Sequence, residues 1–234
     1  MAAIVRPRFY PVVALVLALV VFVGFARTFY LSFLFHLPPR TLLLTLHGTA
    51  FTAWVLLFVA QTRLIASNRV RAHMTLGLFG IALAALVFLL GVMTAIASIN
   101  GTPPGGVPLN GAQFSIVPFT AIGLFGACVA AAIALRRRPE LHKRFMILAM
   151  ISVIAPAVAR ILFLFSAGRF LPVVQIGVTV AILLACVAYD WTKNRILHPV
   201  YTIGGAVLII SWPLRMWIAH TQAWENIARS IANY

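Results

Sequence analysis

PVVALVLALVVFVGFARTFYLSFLF, residues 11–35, holds one charged side chain, Arg27, in its whole length. A helix needs about 20 mostly apolar residues to cross the hydrocarbon core of a bilayer, so this run is long enough to span. Arg6 and Arg8 stand just before it, and Gly24-Phe25-Ala26 follows its most apolar part. That layout also fits a cleavable signal peptide, which would remove residues 1–26. The segment FYLSFLF (29–35) extends the run to full spanning length and favours an uncleaved first helix.

Working outward, runs of the same kind recur at 41–65, 74–98, 114–135, 145–166, 171–190 and 199–220. The chain of 234 residues is 63% hydrophobic and 9% charged, with a mean hydropathy of +1.05. A soluble domain is roughly 45–50% apolar and about 25% charged, and no water-soluble interior of this size hides the difference. The expected fold is therefore an all-α, integral membrane bundle of seven transmembrane helices, forming one domain over 1–234. Residues 100–113 (NGTPPGGVPLNGAQ), uncharged and rich in Gly and Pro, read as its long loop. In the tail 221–234, Trp224, Ile227, Ala228 and Ile231 fall at helical spacing, as in a short helix on the outer membrane surface.

Eighteen Lys and Arg oppose three acids, a net charge of +15. In a soluble protein that excess would indicate nucleic acid. Here the basic residues cluster in short loops between apolar runs, so they encode topology, and no nucleic-acid partner is expected. Twelve fall on one side: Arg6, Arg8, Arg63, Arg69, Arg71, Arg136, Arg137, Arg138, Lys143, Arg144, Lys193 and Arg195. Three, Arg40, Arg169 and Arg229, fall on the other. The positive-inside rule then puts the N-terminus in the cytoplasm. Cys128 and Cys186 lie in apolar runs without CxxC spacing and read as small core residues.

Three ionisable residues lie inside spans: Arg27, Arg160 and Arg215. A charge at the bilayer centre costs at least about 2.5–3.5 kcal/mol, so each is a functional candidate. Under this topology all three occupy the outer half of helices running in the same direction, and no carboxylate shares that half. Like charges at one depth repel unless an anion or carbonyls lie between them. The functional reading is a site for a small anion or an anionic lipid; the alternative is snorkelling of long side chains to the headgroups. Pro156 and Pro213 each free a backbone carbonyl one turn earlier, close to Arg160 and Arg215.

Of the six histidines, His47 is the deepest, about 12 Å along a helix begun at Pro39. His73, His142 and His198 stand at the cytoplasmic ends of helices three, five and seven. Neutral imidazoles at matching depth on separate helices are the ligand set of a haem b or a transition metal. The alternative is interfacial histidines that cap helices beside basic loops. Lys143 and Lys193 are loop residues, so no buried lysine is available to hold retinal. P-loop, GxGxxG and HExxH motifs are absent, as is any intramembrane carboxylate for cation-coupled transport. No catalytic set emerges.

The blocks LHGTAFTAWVLLFVAQTRL (46–64), RVRAHMTLGLFG (69–80), RRRPELHKRFM (136–146) and ILHPVYTIGG (196–205) resemble an uncharacterised family of bacterial multi-span membrane proteins. The resemblance implies a bacterial inner-membrane setting. Histidines near helix ends in a small bundle also resemble, in architecture, b-type cytochromes of the cytochrome b561 group. Three classes of function follow. The first is a redox or electron-transfer protein with haem or metal on His73, His142 and His198, and possible participation of His47. In that case Arg27, Arg160 and Arg215 would hold a quinone headgroup or the propionates of a second haem. The second is a transporter or binding protein for a small anion or lipid, built on the arginines alone. The third is a structural or assembly protein.

Overall fold

The computed structural model describes residues 9–103, 107–166 and 171–232. Arg6, Arg8 and Arg169, used in the charge count, and the start of the signal-like segment lie outside these residues. Among the described residues the chain is helical, without strands. Helix α1 (Phe9–Phe25) continues into a π-helical turn (Ala26–Tyr30), then α2 (Leu42–Ala66) and α3 (Val70–Ala97) follow. After the long loop come a short α4 (Gly111–Phe114), α5 (Ile116–Ala134), α6 (Pro139–Ser152) and α7 (Ala155–Phe165). Helices α8 (Pro172–Asn194), α9 (Pro199–Ala219) and α10 (Gln222–Ala232) complete the order.

Local chemistry sets these boundaries. Thr41 caps α2, its hydroxyl accepting from the Leu44 amide at 3.3 Å, immediately after Pro38-Pro39, which cannot extend a helix. The α2–α3 turn passes through Asn68 at φ 63°, a left-handed conformation that asparagine tolerates. Asn110 and Gln113 form a reciprocal capping box at the start of α4. Proline opens α6, α8 and α9, where its missing N–H costs nothing.

The run expected as one span over 145–166 is a bent pair. It starts earlier, at Pro139, and turns by 42° between α6 and α7. Pro156 has no N–H for the Ser152 carbonyl, so the ladder breaks there. From α8, the buried Gln175 donates to the Ala155 carbonyl at 2.7 Å beside the break. Pro213 has a milder effect and sits within an unbroken α9.

Hairpins α2–α3 and α5–α6 pack against each other through α3 and α5, while α1 lies on α2 and α7, and α9 contacts α5, α6 and α8. The core holds Trp54, Phe58, Val87, Phe125, Leu148, Ile151 and Tyr201. Where α1 crosses α7, Gly24 meets the Ala157 backbone so closely that a Cβ would collide with it. Outward faces are apolar too: Leu78, Phe79 and Val173 are 69%, 70% and 79% exposed. Apolar inside and out, with six helices among the described residues long enough to cross, or seven if the bent pair counts as one span, the chain is a multi-pass membrane protein.

Candidate functional site

Polar side chains gather at the two ends of the bundle. One is the end with the α2–α3, α5–α6 and α8–α9 turns, called here the basic end. His73 is in the first turn of α3 and His142 in the first turn of α6; both helices pack on α5. Their rings are 6.3 Å apart, centre to centre, and nearly perpendicular at 85°. His142 Nδ1 lies 2.9 Å from the Ala132 carbonyl, so that nitrogen is the donor of the bond. The Gln61 amide faces His73: its nitrogen donates to Nδ1 at 2.7 Å while its oxygen accepts from the Gly77 amide at 3.1 Å. His198 has another task. It caps α9, its Nδ1 accepting from the Val200 amide at 3.2 Å. Burial, then the nearby Arg144 charge, hold its pKa below the ordinary histidine value, which keeps that nitrogen an acceptor. Among the described residues no three His, Cys, Asp or Glu side chains are grouped as a metal cluster. The structure thus brings together two of the three histidines expected to act jointly.

Beside this pair is a buried ionic network. Arg144, assigned to a loop by the charge count, is inside α6 and 1% exposed. Its guanidinium grips Asp190 on α8 with two bonds, Nε to Oδ2 at 2.6 Å and Nη2 to Oδ1 at 2.9 Å. Nη1 reaches the Glu140 carbonyl and carboxylate at 2.6 and 2.7 Å, and Lys143 bonds the same carboxylate. Tyr10 and Tyr201 border the network, their hydroxyls buried without a partner among the described residues. Spacing contained the missed signal: Arg144 shares a helical stripe with Ile147, Leu148 and Ile151, all buried.

At the opposite end, the Gly24–Ala157 contact has a second effect. Arg27 and Arg160 lie three residues beyond it on their respective chains, so the close crossing sets them side by side. They line one half-open cleft of about 460 Å³ with Thr28, Leu37, Phe163 and Leu164. Arg160 bonds the Pro156 carbonyl at 3.0 Å and the Thr28 hydroxyl at 3.3 Å, with its guanidinium 4.4 Å from the Phe25 ring centre. Arg40 joins through the same threonine, donating to the Thr28 carbonyl at 2.9 Å and to Ser32 at 2.8 Å. His47 lies deeper on α2, its Nδ1 buried without a partner among the described residues and its ring 4.7 Å from Phe51. Arg215 stands apart on α9, bonded to Ser211 at 2.6 Å and 5.4 Å from the Trp212 ring centre. The arginine layer read from sequence is therefore divided. Arg27 and Arg160 share a cleft, Arg40 is its unforeseen neighbour, and Arg215 is elsewhere.

No family model, curated protein or solved structure matches the chain.

Proposed function

We propose that the protein is a membrane redox carrier whose metal centre, a haem b or a single transition-metal ion, is held by His73 and His142. The observation that supports this reading is the pairing of two imidazoles from separate helices at 6.3 Å with crossed rings. His73 and His142 are the residues that would hold such a group, each through one imidazole nitrogen. The proton on His142 Nδ1, directed at the Ala132 carbonyl, is the usual outer-shell arrangement for a ligating histidine. At His73 the Gln61 amide nitrogen orients the ring by donating to Nδ1, and a metal held at that nitrogen would displace this bond. Such a group would supply one-electron chemistry at the basic end, which on this reading faces the cytoplasm of a bacterial cell. The chain's own part is to fix both rings and to shield them with α5.

The test is an absorption spectrum of the detergent-purified protein, oxidised and dithionite-reduced, with elemental metal analysis. A Soret band, or stoichiometric metal, is expected in the parent and lost in His73→Ala and His142→Ala, while His198→Ala keeps it. Cofactor retained in both of the first two variants, or no cofactor in the parent under any preparation, overturns the reading.

A further inference from the structure

The Arg27–Arg160 cleft takes no part in the redox reading, and its chemistry is unbalanced. Two guanidinium groups face one space, with no carboxylate bonded to Arg27, Arg40 or Arg160 among the described residues. Like charges placed together raise each other's cost unless an anion joins them. Arg160 spends two of the five donors a guanidinium has, on Pro156 and Thr28. Arg27 makes only a ring contact, 5.5 Å from the centre of Phe35, and no side-chain hydrogen bond among the described residues. Both therefore have donors to spare, and planar guanidinium pairs suit the oxygens of a phosphate.

The backbone is shaped to the same end. The π-helical turn Ala26–Tyr30, closed by the Leu31 amide on the Ala26 carbonyl at 2.8 Å, sets Arg27 and Thr28 at the cleft. Such turns inside helices often mark functional positions. The turn is tied to α2 by the Tyr30–Thr52 hydroxyl bond at 2.9 Å and by Phe29, which covers Gly48. On the other wall, the α6–α7 bend directs Arg160 back over Phe25. The rest of the lining, Leu37, Phe163 and Leu164, is apolar, and Leu164 is half exposed on the outward face of the bundle. A cleft lined by two arginines together with apolar side chains suits a lipid headgroup and the start of its chains. Its volume falls within the range of roughly 300–1,000 Å³ typical of ligand sites.

We infer that this cleft binds the phosphate of an anionic lipid, with Arg27 and Arg160 on the phosphate and the start of the chain against Leu37, Phe163 and Leu164. The experiment uses full-length, delipidated protein in neutral detergent and titrates short-chain phosphatidylglycerol, short-chain phosphatidylcholine and inorganic phosphate. The parent is expected to prefer phosphatidylglycerol over phosphatidylcholine by about tenfold, with a salt-sensitive affinity, and to bind inorganic phosphate far more weakly. The double variant R27Q/R160Q is expected to lose that preference. The charge-matched R63Q/R71Q, at the opposite end, is expected to keep it. R27K/R160K retains both charges and should preserve part of the preference, which provides a test even if the glutamine variant does not fold. No preference in the parent, or an equal loss in the two glutamine pairs, overturns the proposal. Inorganic phosphate binding as tightly as the lipid would overturn the lipid assignment and leave a soluble-anion site.

Discussion

Removing Asp190 would leave the Arg144 guanidinium buried beside two tyrosine hydroxyls that already lack partners among the described residues. Breaking one side of a buried ion pair typically costs about 3–5 kcal/mol when the surviving charge is stranded, but here Glu140 still holds Nη1. Asp190→Ala, which leaves Nε and Nη2 without partners, is therefore expected to lower thermal stability in detergent by less than that, and Glu140→Ala less again, since Glu140 is largely exposed. Unfolding followed by circular dichroism would check both. A second residue-scale expectation concerns Gly24. Gly24→Val places methyl groups where the Ala157 backbone already lies, which should cost about 1–3 kcal/mol and push Arg27 and Arg160 apart. Residue type and depth made His73, His142, Arg27 and Arg160 legible in the sequence. Which of them meet was not legible, because parallel helices place many residues at equal depth and only packing selects neighbours. Arg40 was hidden for a related reason. A loop arginine beside two prolines gives no sign that its guanidinium folds back onto Thr28 and Phe29.

At the scale of elements, most helix boundaries followed from apolar length and capping chemistry. The departures come from forces that length cannot register. The α6–α7 bend of 42° follows from a proline that was visible, but Gln175 reaching across from α8 to the Ala155 carbonyl beside it was not. Helix α10 forms where the tail was expected to make a short helix, and packing adds what spacing did not show: Ala228 is buried with Ile99 and Ala112, and the Trp224 indole donates to the Ala112 carbonyl at 3.0 Å. The docking is held by Glu225, which accepts from Asn110 at 3.2 Å, from Gln113 at 3.4 Å and from Arg229 at 2.6 Å. The Arg229 hydrogen bond is the largest cause that lowers the Glu225 pKa from its ordinary 4.5. A carboxylate with a depressed folded-state pKa stabilises fully above 4.5, and that stabilisation is lost as pH falls through the lowered value. Helix α10 should therefore loosen as pH falls below 4.5, seen as faster amide exchange over 222–232, and Glu225→Gln should show the looser state at neutral pH. Unchanged protection in that variant would mean that Trp224 and Ala228 hold the helix unaided.

At the scale of the whole molecule, the membrane class was fully legible, because composition alone excludes a soluble interior. The count of crossings was not, and the reason lies in the charges. If α6 and α7 cross as one span, twelve basic residues lie on one side and three on the other. If the pair instead returns to the side it entered, Arg169 and Arg229 exchange sides with Lys193 and Arg195, and the split is again twelve to three. The positive-inside rule cannot separate the two arrangements. Packing can. Counting from the N-terminus, α3 ends on the far side, so the following segment, residues 98–114, belongs there. Helix α10 docks on that segment through Trp224 and Glu225. A returning pair would leave α10 at the opposite end of the bundle, a full membrane thickness from Ala112 and Asn110. The expected topology therefore has seven crossings, with α10 and residues 101–110 on one side and residues 195–198 on the other. Single cysteines introduced at Gly101, Arg195 and Arg229 in a variant without Cys128 and Cys186 would test this with an impermeant thiol reagent on intact cells. Labelling at 101 and 229 but not at 195 is the expected result. Labelling at 101 and 195 but not at 229 would mean that α6 and α7 form a re-entrant pair, and that α10 meets Ala112 in no membrane-inserted state.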